Sequence, residues 1–322
     1  MSIGTELKNS TCLITGGAGF IGSHLTTRLV ELGANVRVLD NFSTGFHANL
    51  EPLKGRFSLI EGDASKEADV RPAVDGCDYV FHLAAMASVP RSIAEPVLCN
   101  DWVASSTVQL LTASAASGVR RFVLASTSAA YGDSSFVSKR ETDPLIPLSP
   151  YAAAKIAAEQ YCHAFSRSCG IETAALRYFN VFGPRQDPQS EYSAVIPRFV
   201  SMILSGERPI VYGDGGQSRD FVYVDNVVDA NLLAATVPEA SGGVFNVACG
   251  SSTTLLELLG WLREMLGKEI TPIHEPPRAG DVRDSLADIT QARQVLGYEP
   301  RVSVAEGLRR SVEYYRSIAT TV

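Results

Sequence analysis

Residues 14–25 read ITGGAGFIGSHL, and the fold turns on this stretch. It holds Gly17-x-Gly19-x-x-Gly22, overlapping Gly16-x-x-Gly19-x-x-Gly22, between the apolar run TCLIT (11–15) and a helical pattern that continues to Gly33. Glycine belongs where a chain turns sharply from strand into helix, and where backbone must approach a pyrophosphate at a helix N-terminus. The glycine pattern is weak by itself; its place between a strand and a helix gives it meaning. Asp40 closes the next apolar run, NVRVLD, 18 residues beyond Gly22. A carboxylate there accepts from an adenosine ribose 2′-hydroxyl and repels a 2′-phosphate, so NAD is expected rather than NADP. Asp63, after a third run, is placed for an adenine contact.

Outward from this unit, short β-rich runs alternate with longer helical patterns. Strands are expected at 11–15, 35–40, 57–63, 78–84 and 121–126, where Val, Ile and Leu run nearly unbroken, as in strands buried on both faces. A helix over 101–117 ends at Gly118, a C′ stop. The alternation predicts an α/β protein, a Rossmann-like doubly wound parallel sheet with a smaller C-terminal substrate domain. The nucleotide-binding unit is expected over 1–180 and the substrate unit over 181–322, with a segment near 213–248 returning to the first. Beyond 180, Pro, Gly and charged residues punctuate shorter elements, and helices near 253–266 and 303–318 close the chain.

The 322 residues suffice for one large or two modest domains, and 45% hydrophobic with 20% charged residues is ordinary for a globular protein. A formal charge of -7 argues against non-specific partnership with nucleic acid or an anionic membrane. None of the six cysteines forms C-x-x-C or a zinc spacing with histidine, so reduced thiols and no metal are expected. The N-terminus lacks the apolar core of a secretory signal, and no apolar run approaches the ~18 residues of a membrane span. A cytoplasmic protein is expected.

Two further stretches carry chemistry. LASTSAAYGD (124–133) ends an apolar strand on three hydroxyls, Ser126, Thr127 and Ser128. LSPYAAAKIAAEQY (148–161) starts a helix: Ser149 can cap it, Pro150 suits its first turn, and the alanines favour it. Tyr151 and Lys155, four apart, share a face. A phenol of pKa ~10 is a poor base at neutral pH. A neighbouring ammonium, and a nicotinamide cation, favour the phenolate, so Lys155 is expected to hold the Tyr151 pKa down.

In order, T-G-x-x-G-x-x-G (Thr15 to Gly22), the hydroxyl cluster and Tyr151-x-x-x-Lys155 resemble the extended short-chain dehydrogenase/reductase superfamily. The likeness runs essentially end to end. DNFSTG, HLAA, STSAAYGD, SPYAAAK, RYFNVFGPRQ, SRDFVYVDNV and RAGDVRDSLAD look like NAD-dependent nucleotide-sugar epimerases, most closely bacterial UDP-N-acetylhexosamine 4-epimerases. The resemblance implies that Tyr151 takes the proton of a sugar 4-hydroxyl. Thr127, or Ser126 and Ser128 beside it, hydrogen-bonds that oxygen, and the C4 hydride passes to NAD and back to the other face of the 4-ketose. Lys155 would hold the nicotinamide ribose. Implied cofactor contacts are Gly16, Gly19, Phe20, Ile21, Gly22, Asp40, Asn41, Ser43, Thr44, Gly45, Asp63, Ala64, Leu83, Ala84, Ala85 and Tyr178. Related dehydratases carry Asp-Glu directly after the threonine, and decarboxylases a Glu in the same stretch; here stand Ser128 and Ala129, neither of them a carboxylic acid.

For the UDP-sugar substrate, the resemblance implies Arg219 and Arg278 on the pyrophosphate, Asp281 on the uridine ribose and Asn180 on phosphate or sugar. Arginine suits this by bidentate charge-assisted bonds. Ser88, Gln186, Ala194, Val195 and Tyr212 are further implied contacts. Ser285 stands at a sugar-size gate where a small residue leaves room for an N-acetyl group; a roomy pocket still admits unacetylated hexoses. Uronate-specific relatives tend to place a cation near Asp187, which here would repel a substrate carboxylate. A homodimer through helices 101–117 and 152–167 is implied as well. Acetylated, unacetylated and uronate substrates remain open at this point.

Overall fold

Seven strands form one parallel sheet in the order Gly243–Val247, Glu172–Tyr178, Arg121–Thr127, Tyr79–His82, Thr11–Thr15, Asn35–Asp40, Ser58–Glu61. This computed structural model describes residues 3–134, 136–188, 194–277 and 283–319. Every residue of Arg121–Thr127 is buried, which is why its sequence does not alternate. Arg121 is tolerated there because its guanidinium donates to the carbonyls of Ala234 (2.9 Å) and Val237 (3.1 Å) and grips the Glu172 carboxylate at 2.6 and 2.9 Å. The strands expected over 57–63 and 78–84 are shorter, Ser58–Glu61 and Tyr79–His82. Their missing C-terminal residues leave the sheet to line a cavity.

Strand order reverses between Thr11–Thr15 and Tyr79–His82, which opens a crevice at their C-terminal ends. The helix expected over 101–117 instead runs as Pro96–Asn100, a π-helical turn Asp101–Ser105, and Ser106–Ala116. Ser106 and Thr107 donate their hydroxyls back to the carbonyls of Trp102 and Val103, at 2.8 and 2.6 Å, and loosen the helical ladder there.

Helix Val224–Thr236 packs on the large sheet, and the chain rejoins that sheet at Gly243–Val247. A second core gathers Phe182, Phe199, Leu258 and Leu308 between helices Val195–Leu204, Leu255–Leu266 and Val304–Ala319. A small sheet joins Thr253–Thr254, Ser218–Arg219, Asp284–Ala287 and Ser138–Lys139. Asp220 holds it to the loop after Gly243–Val247. Its buried carboxylate accepts from the amides of Cys249 (2.8 Å), Gly250 (3.0 Å) and Ala287 (3.2 Å). Among the described residues no helix is long and apolar enough to cross a membrane.

Candidate active site

The glycine turn is shaped by contacts that no side chain could share. Gly16 has φ +70°, and a Cβ there would lie 2.7 Å from the Ala84 amide nitrogen. A Cβ on Gly22 would lie 2.1 Å from the Gly16 carbonyl oxygen. Helix Phe20–Glu31 is therefore seated directly on the turn, and Gly19, its N-cap, has no side chain to cover the first amides. The Asp40 carboxylate accepts from the Ala18 amide at 2.8 Å and the Phe42 amide at 2.8 Å, tying the turn to the neighbouring strand. Burial pushes its pKa up and those amides pull it down. Asp63 accepts from the Ser65 amide (2.9 Å) and hydroxyl (2.8 Å), so it closes its own turn while lining the cavity.

That cavity, about 780 Å³, is lined by every residue named above for the cofactor, from Gly16 to Tyr178. A turn closed to Cβ atoms, an uncapped helix N-terminus and a carboxylate with spare lone pairs fit a dinucleotide with a free ribose 2′-hydroxyl. At its other end Ser126, Tyr151 and Lys155 meet Ser88, Gln186 and Ala194. A second cavity of about 260 Å³ brings together Asn180, Ala194, Val195, Tyr212 and Arg219, and the two share Ala194. Thr127, Ser128 and Ser285 line neither. Ser285 pairs with Arg219 across the small sheet, and its carbonyl accepts from the Asp220 amide at 2.7 Å. Arg278 and Asp281 lie outside the described residues.

Helix Pro150–Ser168 starts on Ser149, whose hydroxyl accepts from the Ala152 amide at 3.2 Å. The Tyr151 hydroxyl hydrogen-bonds the Thr127 side chain, yet burial pushes its pKa up to about 12. This is opposite to the direction expected from a neighbouring ammonium. Lys155 turns its Nζ to the Ala125 carbonyl (2.6 Å), and burial brings it down to about 8. Desolvation is the largest cause at both groups: it outweighs the Thr127 hydrogen bond at Tyr151 and the Glu159 carboxylate at Lys155. Ser126 donates its hydroxyl to Glu159 Oε1 at 2.5 Å, so it has no proton left for a ligand, whereas Thr127 stays beside Tyr151.

Several wall residues escaped the sequence. Arg198, on helix Val195–Leu204, lines the second cavity; its helix read only as an apolar pattern. Arg91 stacks over Trp102, 5.2 Å from the ring centroid, and both line the first cavity. The π-helical turn that carries Trp102 has no local signature. Gln186, already expected in the site, has a buried Oε1 with no hydrogen-bond partner among the described residues.

The model of the NAD dependent epimerase/dehydratase family matches residues 12–248. The chain belongs to this family. Its cofactor is NAD, in keeping with the fit of the glycine turn and Asp40. Among relatives, the UDP-glucose 4-epimerase of Mycolicibacterium smegmatis is 37% identical over 314 residues, covering 95% of this chain and 98% of that protein. The solved structure of UDP-N-acetylglucosamine 4-epimerase from Methanobrevibacter ruminantium, in complex with UDP-N-acetylmuramic acid, superposes with a TM-score of 0.93 at 40% identity, covering 97% of this chain and 99% of that one. That of UDP-glucose 4-epimerase from Thermotoga maritima, with UDP-glucose, gives 0.91 at 42% identity, covering 96% and 99%. This epimerase/dehydratase chain shares its Rossmann-like sheet with them along nearly its whole length.

Proposed function

We propose that this family member is a UDP-sugar 4-epimerase that interconverts UDP-GlcNAc and UDP-GalNAc, and also takes UDP-Glc and UDP-Gal, through a 4-keto sugar. The observation that carries this reading is the end of strand Arg121–Thr127. Tyr151 is bonded to Thr127 there, and the following positions are Ser128 and Ala129 rather than acids. Glu159, the carboxylate that reaches the reacting end of this strand, is committed to Arg177 at 2.7 and 3.0 Å and to Ser126.

When bound, NAD would supply a reversible hydride acceptor at the sugar C4. Burial within the protein holds Tyr151 at about 12, so it would take the proton of the 4-hydroxyl and give it back only once the nicotinamide cation of bound NAD favours its phenolate. Thr127, which lines neither cavity, orients the Tyr151 hydroxyl through its hydrogen bond to it. The buried Lys155 ammonium holds the cofactor ribose and favours the phenolate electrostatically. Arg219 and Arg198 face the second cavity with Asn180 and would hold the diphosphate. Gln186 Oε1, without a hydrogen-bond partner among the described residues, would accept from an acetamido N–H or a sugar hydroxyl, and Ser88 lines the same cavity. Asp187 on the same wall disfavours a uronate carboxylate.

The division near residue 180, a cytoplasmic setting and a homodimer belong to the same proposal. Exposed Ile93, Val97 and Tyr161, on helices that pack together, support the dimer. Incubation of the purified protein with a panel of UDP-sugars, followed by NMR, tests the reading. UDP-GlcNAc and UDP-GalNAc should interconvert without added or consumed cofactor; a 4-keto-6-deoxy product, or carbon dioxide from UDP-glucuronate, would overturn it.

A further inference from the structure

Behind the reacting end of the cavity lies a buried polar ladder that the mechanism does not use. Ser126, Arg177 and Asn246 stand opposite one another on three adjacent parallel strands. Glu159, from helix Pro150–Ser168, reaches in among them. Ser126 donates to Glu159 Oε1 at 2.5 Å, and Arg177 grips the same carboxylate with Nε (3.0 Å) and Nη2 (2.7 Å). Arg177 Nη1 also donates to the Tyr131 hydroxyl at 2.9 Å, which donates to Asn246 Oδ1 at 2.7 Å. All of these residues are buried. A buried ion pair is weak evidence of stability, because well-packed apolar residues of similar volume often serve as well. Its place in the fold suggests another use.

Lys155 and Glu159 are four apart on one helix face, and they hold consecutive residues of one strand: Lys155 through the Ala125 carbonyl at 2.6 Å, Glu159 through the Ser126 hydroxyl. The next residue is Thr127. We propose that Glu159 and Arg177 form a positioning pair. It locks the end of strand Arg121–Thr127 to helix Pro150–Ser168, so that Thr127, Tyr151 and Lys155 keep the geometry for proton transfer. The inference rests on the epimerase reading above. Arg177 fixes the orientation of the Glu159 carboxylate through its two hydrogen bonds, and Glu159 in turn fixes Ser126. Glu159 also acts on Lys155, which Cys99 and Cys162 face as well, with His82 and Tyr151 nearby. Glu159 favours the ammonium against a burial that brings it to about 8.

The test compares NAD-loaded wild type with Glu159→Gln, Ser126→Ala and the double apolar variant Glu159→Leu with Arg177→Met. It measures kcat, KM, the pH profile, Tm and a ¹⁵Nζ NMR titration of Lys155. Ser126→Ala should lower kcat about fivefold or more with KM within about twofold, as misplacement of reacting groups does. Glu159→Gln should move the Lys155 titration, and with it the alkaline limb of kcat, to lower pH, and Glu159→Asp should restore part of kcat. The double variant should keep a near wild-type Tm without regaining kcat. Wild-type kcat in Ser126→Ala or in the double variant would overturn the proposal, and so would an unmoved Lys155 titration in Glu159→Gln. If Glu159→Gln does not fold, Ser126→Ala decides alone. If wild type epimerises no UDP-sugar, the reading of function fails separately, and the Lys155 titration still decides whether Glu159 acts on that amine.

Discussion

Replacing Gly22 by alanine is the sharpest perturbation the glycine turn allows. The new methyl would lie 2.1 Å from the Gly16 carbonyl oxygen, 2.8 Å from the Gly16 carbonyl carbon and 2.9 Å from Gly17 Cα. All three are backbone atoms, so no side chain can swing aside. Reaching ordinary contact requires about 1 Å of separation between helix Phe20–Glu31 and the turn. Overpacking of this kind costs about 1–3 kcal/mol. Because the displaced parts are the turn and the first helical amides, the cost falls on NAD binding as well as on folding; if it fell wholly on binding, affinity would drop about 5- to 150-fold. The assay is NAD content per protomer after gel filtration, with calorimetric titration of stripped protein. Gly55→Ala is the control: Gly55 has φ +78° but nothing within 4 Å of its Cβ position, so it should lose a little stability and no cofactor. Wild-type NAD affinity and Tm in Gly22→Ala would refute the claim that this helix rests on the turn.

Tyr151→Phe should lower kcat by more than ~10²-fold while NAD content and KM stay near wild type, in a coupled UDP-sugar assay. Ser285→Tyr should slow acetylated substrates selectively; because Ser285 lines neither cavity, an equal decline on both substrate classes would dismiss it as a gate and leave it a small-sheet residue. Asp220 gives a pH signature. Burial raises its pKa from 3.8 to about 6, so it binds its proton more tightly folded than unfolded. Its contribution is therefore fullest below about pH 4 and is lost as pH rises through 6, the reverse of a salt-bridged carboxylate. Tm measured from pH 4 to 7 should show a downward component in wild type that Asp220→Asn lacks.

Much of the nucleotide half was legible because its determinants are local. A glycine turn, an acid at the next strand end and a helix cap such as Ser149 each act over a few residues, and burial on both faces wrote the strands as unbroken apolar runs. Strand ends were less legible: the pairing stops where the chain must leave the sheet to line the cavity, as at Leu83. The π-helical turn Asp101–Ser105 arose from hydroxyls that bond back to carbonyls, a choice the 3.6-residue pattern does not record.

For the reacting groups the division is sharper. Sequence alone determined which groups are present: Tyr151 and Lys155 on one helical face, Thr127 at a strand end, and no acid after it. The tertiary structure decided what state those groups are in. Tyr151 rises to about 12 chiefly because the fold withdraws the phenol from water, with the Cys99 thiol adding to the rise, and burial brings Lys155 down to about 8 although Cys99 and Glu159 pull it up. Ser126 is taken by Glu159, 33 residues away, which is itself held by Arg177 across the sheet. Local pattern specifies residue type and periodicity, whereas proton affinity and hydrogen-bond commitment depend on which distant groups the fold brings within 3 Å and how much water it removes.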